Sequence, residues 1–345
     1  MKKNTPILII TLILAAIAAF FLLTQRKATV KEELKDFAIN DTASITKIFI
    51  ADKQNHQLTL QRQSNKKWMV NNKFYAQSDI INTLLTTMKD LRVRTRVGKM
   101  EFNSVINSMA ASAVKCEIYT NDAGKPAKVY YVGYETKDLL GTYMLLDGST
   151  TPFVMEIPGF NGYLNSRYVT DEQVWREHIV FDYKPEEISS ITLNYTLEPE
   201  KSFKIGTEGK PFKVSSPVTG EAIAAPDSVA LDSYLGFFQF INFEGFDTEF
   251  SQHERDSLFR TVPLYTITVK DKSGKENSIK IYPKPISQRS LTQTDPEGKP
   301  LKYDLDRMYA LVNDGQDFVV IQQYVFGKLF RQLSDFDAHV MLPKI

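Results

Sequence analysis

The side chains able to do chemistry are few and scattered. The four histidines, His56, His178, His253 and His339, form no HxH or HExxH spacing, so no local pair of imidazoles is set to hold a metal. Cys116 is the only cysteine, which excludes an internal disulfide and a thiolate zinc site. It lies in an alternating, strand-like run and reads as packing, not as a nucleophile. His178 and Asp182 would stand one turn apart on a helix, an acid–base arrangement that could activate a serine, but nothing singles out that serine. No GxSxG elbow, P-loop or GxGxxG occurs. With 41 acids, carboxylate pairs of the glycosidase kind are always on offer. Runs such as Glu32-Glu33 and Glu186-Glu187 read as solvated surface. No catalytic residue, metal ligand or cofactor site is assigned.

The elements that would position any site repeat. Ser78 opens a helical pattern with Ile81, Leu84, Leu85, Met88 and Leu91 on one face. The same face returns 150 residues later as Leu231, Tyr234, Leu235, Phe238 and Ile241, behind Ser228, and both serines are candidate N-caps. The polar turn Ala123-Gly124-Lys125, between β-prone runs, has its counterpart in Ser273-Gly274-Lys275. Strand-like alternation precedes each helix, at 45–51, 57–63 and 67–71 and again at 188–195, 201–206 and 210–215. Weaker second helices follow at 101–109 and 251–259, and each half closes on a final pair of strands, 142–146 with 153–157 and 308–312 with 318–322.

The offset grows to 165 at Phe153 and Phe318 because the second half carries a polar insertion near 286–302, which reads as a surface loop. The expected fold is α+β: two tandem duplicated units, each a mainly antiparallel sheet with one or two helices on one face, behind an N-terminal transmembrane helix.

Composition sets the compartment and limits the partners. Hydrophobic content of 43% and aromatic content of 12% fit a folded chain of 345 residues with two cores. Formal net charge is +1, and setting aside Lys2, Lys3, Arg26 and Lys27 leaves about −3, so a nucleic-acid partner is not expected. Residues 6–23 form an uninterrupted apolar run of bilayer-spanning length. Ala16-Ile17-Ala18 resembles a cleavage site, but the run continues through Phe20 to Leu23, so it reads as an uncleaved signal anchor. Basic residues flank both ends and the positive-inside signal nearly cancels. A first apolar segment ahead of a long folded region places residues 28–345 in the periplasm of a bacterial inner-membrane protein.

The expected domains are the anchor (1–27), a stalk (28–44), a first repeat (45–168), a connector (169–187), a second repeat (188–336) and a tail (337–345). Trp175, Ile179, Val180 and Phe181 make the connector too apolar for a free linker.

The apolar anchor, the strand-to-helix run 67–91 and the segments 158–168 and 173–183 together resemble a bacterial family called domain of unknown function 4340, in its Bacteroidota version. The resemblance implies an anchored envelope protein, some members being encoded beside auxiliary parts of gliding-type ABC transporters. It brings no catalytic or ligand motif.

The repeat supplies one further test, since positions unlike in the two copies can serve function. Phe237, Phe240 and Phe243 fall outside the apolar stripe, and their counterparts are Thr87, Asp90 and Val93. They predict a second apolar helix face that meets the other domain, the 169–187 connector or an envelope protein partner; carbohydrate stacking fits less well, because Phe has no polar handle. Asp41-Thr42-Ala43 resembles a short O-glycosylation acceptor, with Thr42 in the expected stalk. The resulting expectation is a non-enzymatic scaffold or accessory subunit. An envelope enzyme with its site between the domains, or a ligand-binding module, are the alternatives.

Overall fold

The computed structural model describes residues 13–15, 35–210 and 212–339. The expected anchor at 6–23 lies outside the described residues except for 13–15, which are helical. Among the described residues no helix is long and apolar enough to cross a membrane. The chain divides into two compact units at Glu177/His178.

The first unit is a nine-stranded sheet. In chain order its elements are β1 (Ile45–Ala51), β2 (Gln57–Arg62), β3 (Trp68–Val70), β4 (Phe74–Tyr75), α1 (Ser78–Asp90), β5 (Arg92–Arg96), α2 (Lys99–Ser112), β6 (Val114–Thr120), β7 (Lys128–Glu135), β8 (Thr142–Leu146), β9 (Phe153–Glu156) and the single-turn α3 (Glu172–Trp175). The strands lie in the order β4-β3-β2-β1-β6-β7-β8-β9-β5, with every pairing antiparallel. Asn71 and Asn72 turn the β3–β4 hairpin with φ of +50° and +55°, the left-handed pair that matches strand twist and that asparagine tolerates.

The second unit comprises β10 (Ile179–Phe181), β11 (Ile188–Tyr195), β12 (Phe203–Gly206), β13 (Lys213–Ser215), α4 (Ser228–Gly236), β14 (Ile241–Asn242), β15 (Gly245–Phe246), α5 (Gln252–Phe259), β16 (Tyr265–Asp271), β17 (Glu276–Pro285), β18 (Tyr303–Val312), β19 (Asp317–Gln322) and α6 (Gln323–Phe326). Its main sheet runs β13-β12-β11-β16-β17-β18-β19-β15, again antiparallel throughout. Place for place this is the strand order of the first sheet without β4. The fold is thus mixed α+β with antiparallel sheets and few helices.

The helices do not share one face. In the first unit Ile81, Leu84 and Met88 of α1 pack with Ile48, Leu60, Ile118 and Met155, while Val105 and Met109 of α2 pack with Tyr143 and Val154. Val154 and Met155 are neighbours in one strand and point to opposite faces, so α1 and α2 cover opposite sides of the sheet. The second unit repeats this, with Leu231 and Leu235 of α4 in the main core and Leu258 and Phe259 of α5 against Tyr282, Tyr309 and Phe318 on the other side. The expectation of helices on one face is corrected by β8, β9, β18 and β19, which are buried at successive positions and so need a cover on each side.

Three further expectations change. Ser78 and Ser228 are the first helical residues, not the caps: Gln77 precedes α1 with no side-chain cap bond, and Asp227 caps α4 through Val229 N–H (2.9 Å) and Ala230 N–H (3.1 Å). Of the expected stalk, 28–34 lies outside the described residues and 35–44 packs with the first unit. Phe37 is buried in the first core, which is worth about 1.5–3 kcal/mol for a side chain of that size, and Ile39 N–H donates to the Met88 carbonyl at 2.9 Å. The connector is divided at the unit boundary. Trp175 is buried in the first unit with its indole N–H on the Val169 carbonyl, while Ile179–Phe181 form β10, paired with β14 of the second.

Candidate functional site

The segment from Phe237 to Phe250 is where the second unit departs from the first. The helix expected to run on through Phe237, Phe240 and Phe243 ends at Gly236, and Phe237 is its C-cap. Glycine weakens the last turn, and the carbonyl of Phe238 is taken by Tyr183 N–H at 3.0 Å, so tertiary pairing with the β10 segment wins over helix continuation. The three phenylalanines therefore share no helix face, and that expectation is corrected.

Each of the three has its own environment. Phe243 is buried, stacked on the His178 imidazole with centroids 4.3 Å apart and set edge-on to Phe246 at 5.1 Å. Phe237 is half-buried, edge-on to Tyr234, with Lys328 Nζ 5.6 Å above its ring. Phe240 is 70% exposed and sits at φ +52°, a region that costs a bulky residue free energy, between the buried Phe238 and Ile241. His178 and Asp182 are not an acid–base pair on a helix. The run between them is extended, which separates residues four apart by about 13 Å.

Beyond Phe243 the chain forms one side of a charged pocket of about 190 Å³ that sequence reasoning missed. Glu244, Asp247, Glu249, Lys284, Arg289, Asp304 and Arg307 supply its charges. The Lys284 ammonium is nearly enclosed and lies 3.2 Å from Glu249, which Arg289 also approaches at 3.6 Å. Arg307 grips Glu244 through two bonds of 2.7 and 3.0 Å, and this contact raises its pKa. The buried Asp247 carboxylate accepts from Glu249 N–H and Phe250 N–H, and Ser290 donates to Asp304 at 2.7 Å. Burial first, and the neighbouring Asp247 carboxylate second, push the Tyr309 phenol upward.

Two partial signals existed: Lys284 lies between Pro283 and Pro285, and the insertion 286–302 has no first-unit counterpart. That insertion is not merely a surface loop, since Ser290 is buried and Arg289 reaches the pocket.

Chemically the pocket is a set of matched charges. Glu244, Asp247 and Glu249 are each held by a cation, and no histidine lines the walls, so the arrangement orders polar groups without presenting an unengaged base. Among the described residues no three His, Cys, Asp or Glu side chains come together as a metal site. Cys116 is fully buried and its thiol is pushed up to about 12 by burial, which makes it inert. His56 is exposed and bonded to Asp52 at 2.8 Å.

Thr42 belongs to the folded base of β1. It begins a 3-10 turn capped by the Asp41 carboxylate, and its carbonyl accepts from the Arg62 guanidinium at 3.0 Å. No family model matches the chain, and no curated protein and no solved structure gives a match.

Proposed function

We propose that this chain is a single-pass envelope protein, held in the bacterial inner membrane by residues 6–23 with the remainder in the periplasm. In this reading it serves as a scaffold or accessory subunit of a larger assembly, as the resemblance to the domain of unknown function 4340 family implies. One ancestral module copied in tandem accounts for the two sheets. The common strand order supports that origin, and the divergence is concentrated in the stretch after α4 and in the insertion 286–302.

The observation that carries the partner reading is Phe240. A phenyl group 70% in water, on backbone that disfavours it, costs stability twice over and returns nothing to its own core. A contact with another protein would recover that cost, because a single well-placed aromatic can dominate a small interface.

The test is site-specific photo-crosslinking in the intact envelope. A benzophenone amino acid replaces Phe240 in the full chain, with Val262, also exposed, as the control position. The expected result is one discrete heavier adduct at 240 that is absent at 262. Equal labelling at both positions, or a cross-link confined to the chain itself, sinks the partner reading.

A further inference from the structure

We infer that the β5 edge of the first unit is a docking face for anionic lipid headgroups, an inference that rests on the anchoring proposed above. β5 is the outermost strand, paired on one side only, and its sequence is Arg92-Val93-Arg94-Thr95-Arg96. Lys89 precedes it and Lys99 follows, so residues 89–101 hold five cations against the two carboxylates of Asp90 and Glu101. All five cations are exposed. Asp138 and Glu156 hold Arg94, at 3.1 and 3.7 Å, but among the described residues no carboxylate pairs with Lys89, Arg92, Arg96 or Lys99.

Bare apolar side chains flank this strip. Met100 is 99% exposed beside Lys99, and Leu139 and Leu140 are exposed in the loop whose Leu140 carbonyl accepts from Arg94 at 3.4 Å. Leu139 is held out at φ +58°. Cations interleaved with exposed apolar groups are what a peripheral lipid contact requires: Coulomb attraction to the headgroups and shallow insertion beneath them. Charged side chains on an edge strand also deter strand addition, but that role is met by either sign and needs no exposed methionine or leucines. The corresponding edge of the second unit, β15, is flanked by Glu244 and Asp247, so the fold does not demand a basic strand at this place.

Tethering adds a second, independent constraint. Among the described residues Phe37 is the first core residue after the apolar run, and its ring lies 6.1 Å from that of Phe153, the residue paired across the ladder with Arg96. Ile39 N–H bonds the Met88 carbonyl, one residue before Lys89. The chain thus enters the first unit beside the basic strip. From Leu23 to Phe37 it can span roughly 50 Å at most, so the strip is kept within reach of the surface in which the anchor sits.

The full chain carrying Met100→Cys, labelled with an environment-sensitive fluorophore, tests this; Cys116 is buried and stays unlabelled. It is reconstituted in vesicles of phosphatidylcholine alone or mixed with phosphatidylglycerol. In the mixed vesicles the emission should shift to the blue and quenching by acrylamide should fall severalfold. Added salt should reverse both changes, and the triple change R92Q/R96Q/K99Q should abolish them. A label at Val262→Cys should stay in water in both lipids. If the chain floats with both kinds of vesicle while the label at 100 is quenched equally in each, the lipid face is overturned and the anchor stands. If it floats with neither, anchoring and lipid face fall together.

Discussion

The imidazole of His178 lies on the ring of Phe243, centroids 4.3 Å apart and planes inclined by 25°, and the His178 carbonyl accepts from Phe243 N–H at 3.0 Å. This contact fastens the first residue of the second unit to the segment that follows α4. Phe243→Ala should therefore cost about 3–5 kcal/mol, the range for a large aromatic removed from a packed site. Urea denaturation of the full chain checks this, and the loss should appear in the transition that reports the second unit. A change below about 1 kcal/mol would mean that the stack contributes little.

Phe240 should behave in the opposite way. Its left-handed backbone favours glycine, and its exposed ring forfeits little packing when removed. Phe240→Gly is expected to leave stability unchanged or raise it by about 0.5–1 kcal/mol, since strain relief offsets the extra freedom of the unfolded chain. Thermal unfolding of the two proteins side by side decides. A lowered Tm would show that the ring packs against something that matters for folding.

Lys284 offers a test of the charged pocket. Removing the ammonium in Lys284→Ala leaves Glu249 with only the more distant Arg289. Breaking a wholly buried pair costs about 3–5 kcal/mol, and Glu249 keeps some water contact, so about 2–3 kcal/mol is expected. Glu249→Gln with Lys284→Met should recover most of that loss, because neither partner is then left charged and alone. A double change as damaging as the single one would show that the ammonium is held mainly by the Tyr309 ring, 5.5 Å away, and by Ser287.

The parts of the fold written as long-range repetition were legible. Alternation at Ile48, Ile50, Leu58 and Leu60, and helical spacing at Ile81, Leu84 and Met88, mark buried faces that the two cores use. The short strands β5 and β15 were not. Arg92–Arg96 carries no apolar alternation, and Gly245–Phe246 is only two residues long; each is fixed by its partner strand, not by its own composition. For the same reason Phe237, Phe240 and Phe243 read as helical in the sequence. Their spacing of three is compatible with a helix, but Tyr183 N–H, two residues past β10, takes the Phe238 carbonyl, a tertiary event with no local signature. The pocket was hidden by distance, since Glu244, Lys284 and Arg307 come from three separated segments.

Cys116 predicts a clean chemical readout. It is buried between β1 and β7 beneath the Tyr130–Tyr168 pair, and its thiol is pushed up to about 12. In the folded chain at pH 8 a disulfide reagent should release no chromophore over an hour; in guanidinium it should release one equivalent at once. Because the thiolate is the reactive species, native reactivity should be limited by opening of the first unit. Prompt reaction without denaturant would show that this core opens freely.

Asp52 ties β1 to the segment leading out of the first unit, and its charge should be visible in acid. Burial by itself would raise its pKa, but bonds from the His56 ring, Gln54 N–H, His56 N–H and the Thr170 hydroxyl together lower it from 3.8 to about 2. A carboxylate with a depressed folded pKa contributes stability that is fully present above its unfolded value and is lost as pH falls through its folded value. The contribution is therefore complete above about pH 4 and should fade between about pH 4 and pH 2. Asp52→Asn should lower the stability of the first unit at pH 7, and the difference from the parent chain should shrink towards zero as pH approaches 2. Urea midpoints across that range measure it. The same interval at every pH would mean that the side chain acts through its shape and not its charge, and Thr170→Val, which removes one donor alone, should then reproduce little of the loss.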